Sequence, residues 1–265
     1  MRLVRAHAKW VLGSALGTLA FIGLVLSACT TLDRTTLILP EIEGAHFVGD
    51  ASCVNCHTNT VRQFAMNPHA HLDHPDPKFA DMGGCESCHG PGSKHVQVGG
   101  GRGRFIHSGK DEQLCFNCHQ DTHSEFRLPH HHPVIEDKMS CSQCHDPHGP
   151  DIMKPAGGMA FARLNQQCAT CHREQSRQFV FEHEALRDGC IVCHQPHGAV
   201  NRALLTERDS NLCLKCHAQE QGIGNPGDFY IGKENHRNHL RRGGCWTAGC
   251  HTAVHGSNVS PDLRY

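Results

Sequence analysis

Cysteine recurs in this chain at a fixed distance ahead of histidine. Seven stretches read Cys-x-x-Cys-His: Cys53, Cys56 and His57; Cys85, Cys88 and His89; Cys115, Cys118 and His119; Cys141, Cys144 and His145; Cys168, Cys171 and His172; Cys190, Cys193 and His194; Cys213, Cys216 and His217. An eighth, Cys245-Trp-Thr-Ala-Gly-Cys250-His251, has a longer loop between its thiols. Sixteen of the seventeen cysteines therefore sit in pairs that run straight into a histidine. The chemistry such a segment serves is covalent attachment of a porphyrin. Two thiols reach the vinyl groups on one edge of the ring while the next residue puts an imidazole on the iron. Eight haem c groups are expected, with the cysteines as attachment points and the following histidines as proximal ligands.

Other uses of a Cys-x-x-Cys pair are half a zinc site, a thiol redox centre or part of a disulfide framework. None of them requires a histidine next. With 25 histidines in 265 residues, chance would place one after all eight pairs on the order of one time in a hundred million.

The rest of the chain must hold those groups, and its composition indicates how. A chain of 265 residues ordinarily folds around one or two apolar cores. Here aromatics are 6%, Trp and Tyr number two each, and the mean hydropathy is negative even with a very apolar leader included. That is too little apolar side chain to offset the entropy of ordering. The expected fold is mainly irregular with short α-helices and almost no β-sheet, built around stacked haems. These would replace the core and brace the chain as disulfides or structural metals do. A formal charge of −1 argues against a nucleic-acid partner, and ionised propionates would make the loaded protein more acidic. Arg102, Arg104, Arg237, Arg241 and Arg242 are candidate propionate partners, since guanidinium pairs bidentately with carboxylate; solvated surface arginine is the alternative.

Residues 1–28 carry Arg2, Arg5, His7 and Lys9 ahead of an apolar run from Trp10 to Leu26, the pattern of a secretory signal peptide. The run is short for a membrane span. It closes Leu26-Ser27-Ala28-Cys29, which resembles the lipobox of bacterial lipoproteins and makes the odd cysteine, Cys29, the candidate lipidation site. Thr30 after it, rather than Asp, matches an outer-membrane destination by resemblance to that class. A plain signal peptide and a retained anchor are the alternatives. Residues 29–48 read as a tether from lipid to the first haem.

Taken two at a time, the motifs form a repeat. Units begin at Cys53, Cys115, Cys168 and Cys213, and each runs haem site, intervening histidine, haem site, trailing histidine. Gly84, Gly189 and Gly244 directly precede the second pair in three units, as suits a short helix ending in a left-handed residue. Residues 174–186 have helical character, while Gly and Pro elsewhere keep elements short. The Gly/Pro-rich stretch 149–158 is the expected seam between residues 49–155, holding sites one to four, and residues 156–265, holding sites five to eight.

Sixteen histidines lie outside the leader and the motifs, and eight would complete the irons. The repeat nominates His69, His131, His183 and His239 as intervening and His95, His148, His197 and His255 as trailing distal ligands. Within the clusters, His71 or His74 can replace His69, His130 or His132 can replace His131, and His236 can replace His239. His46, His107 and His123 are spare. Methionine ligation would raise the potential, but no Met recurs in the units. Iron with imidazole on both faces is coordinatively closed, which leaves one-electron transfer.

His-His-Pro-Val followed by Cys-Ser-Gln-Cys-His-Asp-Pro-His-Gly, and the closing Cys-His-Thr-Ala-Val-His-Gly-Ser-Asn, resemble the periplasmic multihaem cytochromes of the MtrA/DmsE type. The resemblance runs from about Gly49 to the end. It implies a protein that moves electrons across or up to the outer membrane, often seated in a porin-like β-barrel and passing them to an outer-surface cytochrome. This chain has fewer haem motifs than is usual there, and its lipobox is not usual there either.

The expected function is thus an octahaem electron carrier of the cell envelope. It would be lipid-anchored at the periplasmic face of the outer membrane, or alternatively at the cell surface, with no catalytic residues. A periplasmic donor and an outer-membrane porin–cytochrome conduit or surface cytochrome would be its partners, and the acceptor outer-membrane or extracellular. The competing reading is an octahaem oxidoreductase acting on small nitrogen or sulfur compounds. It would need an exchangeable iron face, and only the irregular Cys245–Cys250 loop departs from the pattern. A subunit of an extracellular cytochrome filament is a third reading.

Overall fold

The computed structural model describes residues 39–71, 84–108, 111–149, 160–217, 225 and 227–265. The segment expected to be a signal peptide, Cys29, His74 and most of the expected seam lie outside the described residues. Residues 39–265 form one compact unit.

Regular structure is scarce and short, as the composition requires. The longest described helix is Ala160–Ala169, followed by Ser210–His217; the other described α-helices run four to seven residues and the 3-10 turns three to five. Among the described residues six strands of two residues each make three antiparallel pairs: β1 (His130–His131), β2 (Phe181–Glu182), β3 (Gly198–Ala199), β4 (Tyr230–Ile231), β5 (Glu234–Asn235) and β6 (Gly256–Ser257). β1 pairs with β3, β2 with β6 and β4 with β5. The first two pairings join the intervening segment of one unit to the trailing segment of the next. Residues 174–186 are not one helix. A turn of helix at Arg173–Ser176 gives way to β2, because Phe181 and Glu182 pair with Ser257 and Gly256.

Among the described residues only Phe116, Phe126, Val134, Ala199 and Ala253 are buried apolar side chains. Phe116, Phe126 and Val134 form a small cluster with Met139 and Cys141 against it. Side chains alone thus supply little core, which is where bound porphyrin is needed.

Polar clamps fix the motif segments. Asp50 Oδ1 accepts from Cys85 N–H at 3.0 Å, Asn165 Oδ1 from Cys190 N–H at 2.9 Å, and Asp209 Oδ1 from Trp246 N–H at 3.1 Å. In units one, three and four a short acidic or amide side chain just ahead of the first motif therefore caps the start of the second. This explains two of the three repeat glycines. A Cβ on Gly84 would lie 1.9 Å from Asp50 Oδ2, and one on Gly244 would lie 1.8 Å from Asp209 Oδ2. Gly84, with φ +136°, opens the helix Cys85–His89, whereas Gly189 closes a 3-10 turn at φ +111° and ψ +150°, a positive-φ extended conformation rather than the left-handed helical one expected. In the fourth unit Gly243 takes the positive φ of +141°.

The stretch read as a tether is docked over its last part. Val48 and Gly49 donate to the carboxylate of Glu86, which also accepts from Gly92 N–H at 2.7 Å and is only 6% exposed. His46 N–H donates to Ser93 Oγ at 2.9 Å.

Candidate haem-binding centres

Each motif closes as a turn that carries its histidine back over its first cysteine. The histidine N–H donates to the carbonyl of that cysteine at 2.9 Å for His57 to Cys53, 2.9 Å for His119 to Cys115, 2.8 Å for His145 to Cys141, 2.9 Å for His172 to Cys168 and 3.0 Å for His194 to Cys190. His89 and His217 end the helices Cys85–His89 and Ser210–His217. The irregular motif closes the same way, His251 N–H reaching Cys245 O at 3.0 Å, with Gly249 at φ +75° taking up the longer loop.

Every motif histidine faces a second imidazole. The pairs and their centroid separations are His57–His95 at 6.3 Å, His69–His119 at 6.0 Å, His89–His148 at 5.8 Å, His132–His172 at 6.1 Å, His145–His197 at 6.0 Å, His183–His217 at 6.1 Å, His194–His255 at 6.1 Å and His236–His251 at 6.5 Å. Metal–imidazole bonds are about 2 Å and a ring centre lies roughly an ångström beyond its nitrogen, so imidazoles on opposite faces of one ion stand about 6 Å apart. These separations fit. A bare metal would need three or four protein donors, and no cluster of three or more such donors exists among the described residues. Two imidazoles with two adjacent cysteines fit an iron whose other ligands come from a macrocycle.

Hydrogen bonds at Nδ1 set which nitrogen faces inward. Nδ1 of His89 bonds His107 O at 2.6 Å, His95 bonds Arg104 O at 2.9 Å, His132 bonds Pro196 O at 2.6 Å and His183 bonds Val254 O at 2.9 Å. His194 bonds Ala203 O at 2.7 Å, His236 bonds Glu234 O at 3.0 Å and His251 bonds Asp262 O at 2.7 Å. Each places the proton on Nδ1 and leaves the Nε2 lone pair for a metal. Burial, and then neighbouring imidazoles, hold His217 and His255 below the usual range for histidine; burial and then His89 do the same for His148. The neutral form thus favoured is the one that ligates.

At two expected distal positions a neighbour faces the motif ring instead. His132, not His131, stands opposite His172. His131 Nδ1 donates to Leu128 O at 2.6 Å and its Nε2 meets Glu136 Oε1 at 2.9 Å, so both nitrogens are committed. One residue's step past the end of β1 turns the next side chain to the other face. His236, not His239, stands opposite His251; His239 meets His236 edge-on at 5.4 Å and starts the turn Leu240–Arg242. His71 Nε2 is bonded to Ala65 O at 3.1 Å, while His69 faces His119. Of the spare histidines, His107 supplies its carbonyl to His89, and His123 stacks on Phe116 at 4.4 Å. Of the arginines considered for propionates, Arg237 pairs with Asp228 at 3.4 Å and Arg104 lies over Phe105.

The pairing follows a rule invisible in the spacing. Intervening histidines reach forward to the first motif of the next unit: His69 to His119, His132 to His172, His183 to His217. Trailing histidines reach back to the second motif of the previous unit: His148 to His89, His197 to His145, His255 to His194. At the ends, where no neighbour exists, His95 and His236 fold onto their own units.

The attachment cysteines also meet in chain order. First cysteines are in side-chain contact within each unit, Cys53 with Cys85, Cys115 with Cys141, Cys168 with Cys190 and Cys213 with Cys245. Second cysteines influence one another between units, Cys88 with Cys118, Cys144 with Cys171 and Cys193 with Cys216. Burial pushes the Cys85 thiol up to about 12 and those of Cys168 and Cys213 to about 11.

Comparison with known proteins agrees with this chemistry. The doubled CXXCH motif family matches residues 131–177 and 183–222, and the cytochrome c554 and c-prime family matches residues 32–90. The multiheme cytochrome MtrA of Shewanella baltica is 31% identical over 214 residues, covering 78% of this chain and 57% of that protein. The C-type polyheme cytochrome OmcB of Geobacter sulfurreducens is 25% identical over 230 residues, 77% of this chain and 30% of that protein. The chain thus spans little more than half of the first relative and under a third of the second.

Proposed function

The chain belongs to the multihaem c-type cytochromes of the MtrA type, and from that premise we propose that it is an electron-transfer protein carrying eight haem c groups. Each group would be held by one motif's cysteines and by one of the eight imidazole pairs. The observation that carries this reading is that all eight motif histidines face a second histidine across about 6 Å. When bound, a haem capped by two imidazoles supplies a one-electron couple with no vacant coordination position. The chain's residues do the rest. Nδ1 bonds hold the rings in one tautomer, and the cysteine contacts set the attachment edges side by side from the first motif to the last, as a relay requires.

The leader and lipobox support export and anchoring through Cys29 at the periplasmic face of the outer membrane. There the protein would take electrons from a periplasmic donor and pass them to an outer-membrane porin–cytochrome conduit or a surface cytochrome, toward an extracellular acceptor. Among the described residues no helix is long and apolar enough to cross a membrane.

Intact-mass measurement and low-temperature EPR of the purified protein test the core of the proposal. Eight covalent haems, all low-spin ferric, are expected. A substantial high-spin signal with nitrite reduction at enzymatic rates would replace it with the oxidoreductase reading. Fractionation of Cys29→Ala tests the anchor: the variant should leave the membrane fraction, and unchanged retention without partner proteins would refute lipidation.

A further inference from the structure

Among the imidazoles of the eight pairs whose Nδ1 partner is seen, one is bonded differently from the others. Where an Nδ1 partner is seen for His89, His95, His132, His183, His194, His236 and His251, it is a backbone carbonyl. His197, which faces His145, instead has Nδ1 at 2.9 Å from Glu125 Oε2. A carboxylate is a stronger acceptor than an amide carbonyl and carries a full charge. It draws the Nδ1 proton away and makes Nε2 more electron-rich.

Glu125 is fixed for this task. It ends the helix Gln120–Glu125 that follows the third motif. Its other oxygen accepts from Gln195 Nε2 at 3.1 Å, so both carboxylate oxygens are committed to the segment bearing His197. Its carbonyl sits so close to Gly198 that a Cβ there would be 1.9 Å away. The next residue, Phe126, is buried and packs on the His197 ring at 5.3 Å. Carboxylate and imidazole are about two-thirds buried, with side-chain exposures of 35% and 31%, so water only partly screens them.

We propose that Glu125 is a positioning residue that gives His197 imidazolate character and thereby holds the fourth haem, at Cys141 and Cys144, at a lower reduction potential than a carbonyl-bonded ligand would. The inference rests on the His145–His197 ligation proposed above. An electron-rich axial ligand stabilises the ferric state. The relay would then contain a designed low step near its middle, between the third and fifth sites.

Spectropotentiometric titration of the holoprotein tests this. In Glu125→Gln, which keeps the shape but removes the charge, one couple of eight should move to higher potential by about tenfold in its reduction equilibrium constant, or about 59 mV for one electron. Glu136→Gln is the control. It removes a carboxylate bonded to His131, which faces no motif ring, and should leave the titration within a small fraction of that change. Superimposable curves for Glu125→Gln and the parent, with all irons low-spin in both, would overturn the proposal. A high-spin iron already present in the parent would instead strike at the ligation reading. If Glu125→Gln does not accumulate, the parent decides alone. Its near-infrared ligand-to-metal charge-transfer band, which reports axial-ligand basicity, should contain one component displaced from the others. A single undisplaced band would refute the role of Glu125.

Discussion

The junction between the second and third units and that between the third and fourth use the same frame and different chemistry. In both, a two-residue ladder joins an intervening segment to the next unit's trailing segment, β1 to β3 and β2 to β6. In both, the forward-reaching histidine donates Nδ1–H to the carbonyl just before the backward-reaching one, His132 to Pro196 and His183 to Val254. In both, a buried glycine follows that second histidine, Gly198 and Gly256. What presses on the glycine differs. Gly198 lies under the Glu125 backbone carbonyl, Gly256 under the Phe179 ring. The backward-reaching histidine differs too: His197 is bonded to a carboxylate, while His255 is half-buried near the imidazoles His194, His183 and His172. A backbone staple fixes where two histidines stand, and what surrounds the second of them differs between the junctions.

The largest effects should come from filling the glycines. A Cβ at Gly198 meets backbone 1.9 Å away, so relief requires the chain itself to move. Gly198→Ala should destabilise the holoprotein by about 3 kcal/mol or more, read by guanidinium unfolding, and no side-chain deletion should rescue it. At Gly256 the clash is with the Phe179 side chain at 2.5 Å, on a φ of +137°. Gly256→Ala should be comparably harmful alone. Combined with Phe179→Ala it should regain the steric share and retain the backbone strain, about 1–3 kcal/mol. Equal rescue at both glycines would dissolve the contrast.

Next in size are the ligands. His132→Ala should turn one of eight irons high-spin in EPR, and His183→Ala should do the same at the other junction. His131→Ala, which removes a ring bonded to Leu128 and Glu136, should leave all irons low-spin. A high-spin iron in His131→Ala with none in His132→Ala would reverse the pairing at the second junction.

Much of this frame was legible in the chain. Sixteen cysteines each tied to a histidine, with few large apolar side chains, dictate short elements around bound groups, and the structure has short helices, two-residue strands and a minimal core. The choice within His130–His132 was not legible, because adjacent residues differ only in the face they present and that depends on a β1–β3 register set by Gly198 and Ala199, far along the chain. The forward-and-back pairing was hidden for the same reason: spacing counts ligands without assigning them. The clamps left a trace that spacing does carry, since Asp50, Asn165 and Asp209 stand three or four residues ahead of Cys53, Cys168 and Cys213. Residues 174–186 read as helix because their pattern permits one, yet pairing with Gly256 and Ser257 pulls Phe181 and Glu182 into a strand.

The smallest effects should come from those clamps, which also differ between the two units that meet at the later junction. Asn165 uses both ends of its amide: Oδ1 accepts from Cys190 N–H, and Nδ2 donates to Leu186 O at 2.8 Å. Asp209 uses oxygens alone, on Trp246 N–H at 3.1 Å, Thr247 N–H at 3.4 Å and the Thr247 hydroxyl. Loss of either cap to alanine should cost about 1 kcal/mol. The isosteric exchanges should separate them. Asn165→Asp keeps the acceptor but sets a carboxylate against the Leu186 carbonyl, so it should cost as much as alanine or more. Asp209→Asn can keep an oxygen on Trp246 N–H, so it should cost less than Asp209→Ala. Thermal unfolding followed in the far-ultraviolet would order the four variants. Asn165→Asp equal to the parent would mean that the Leu186 contact contributes nothing, and that the two caps are interchangeable despite their different chemistry.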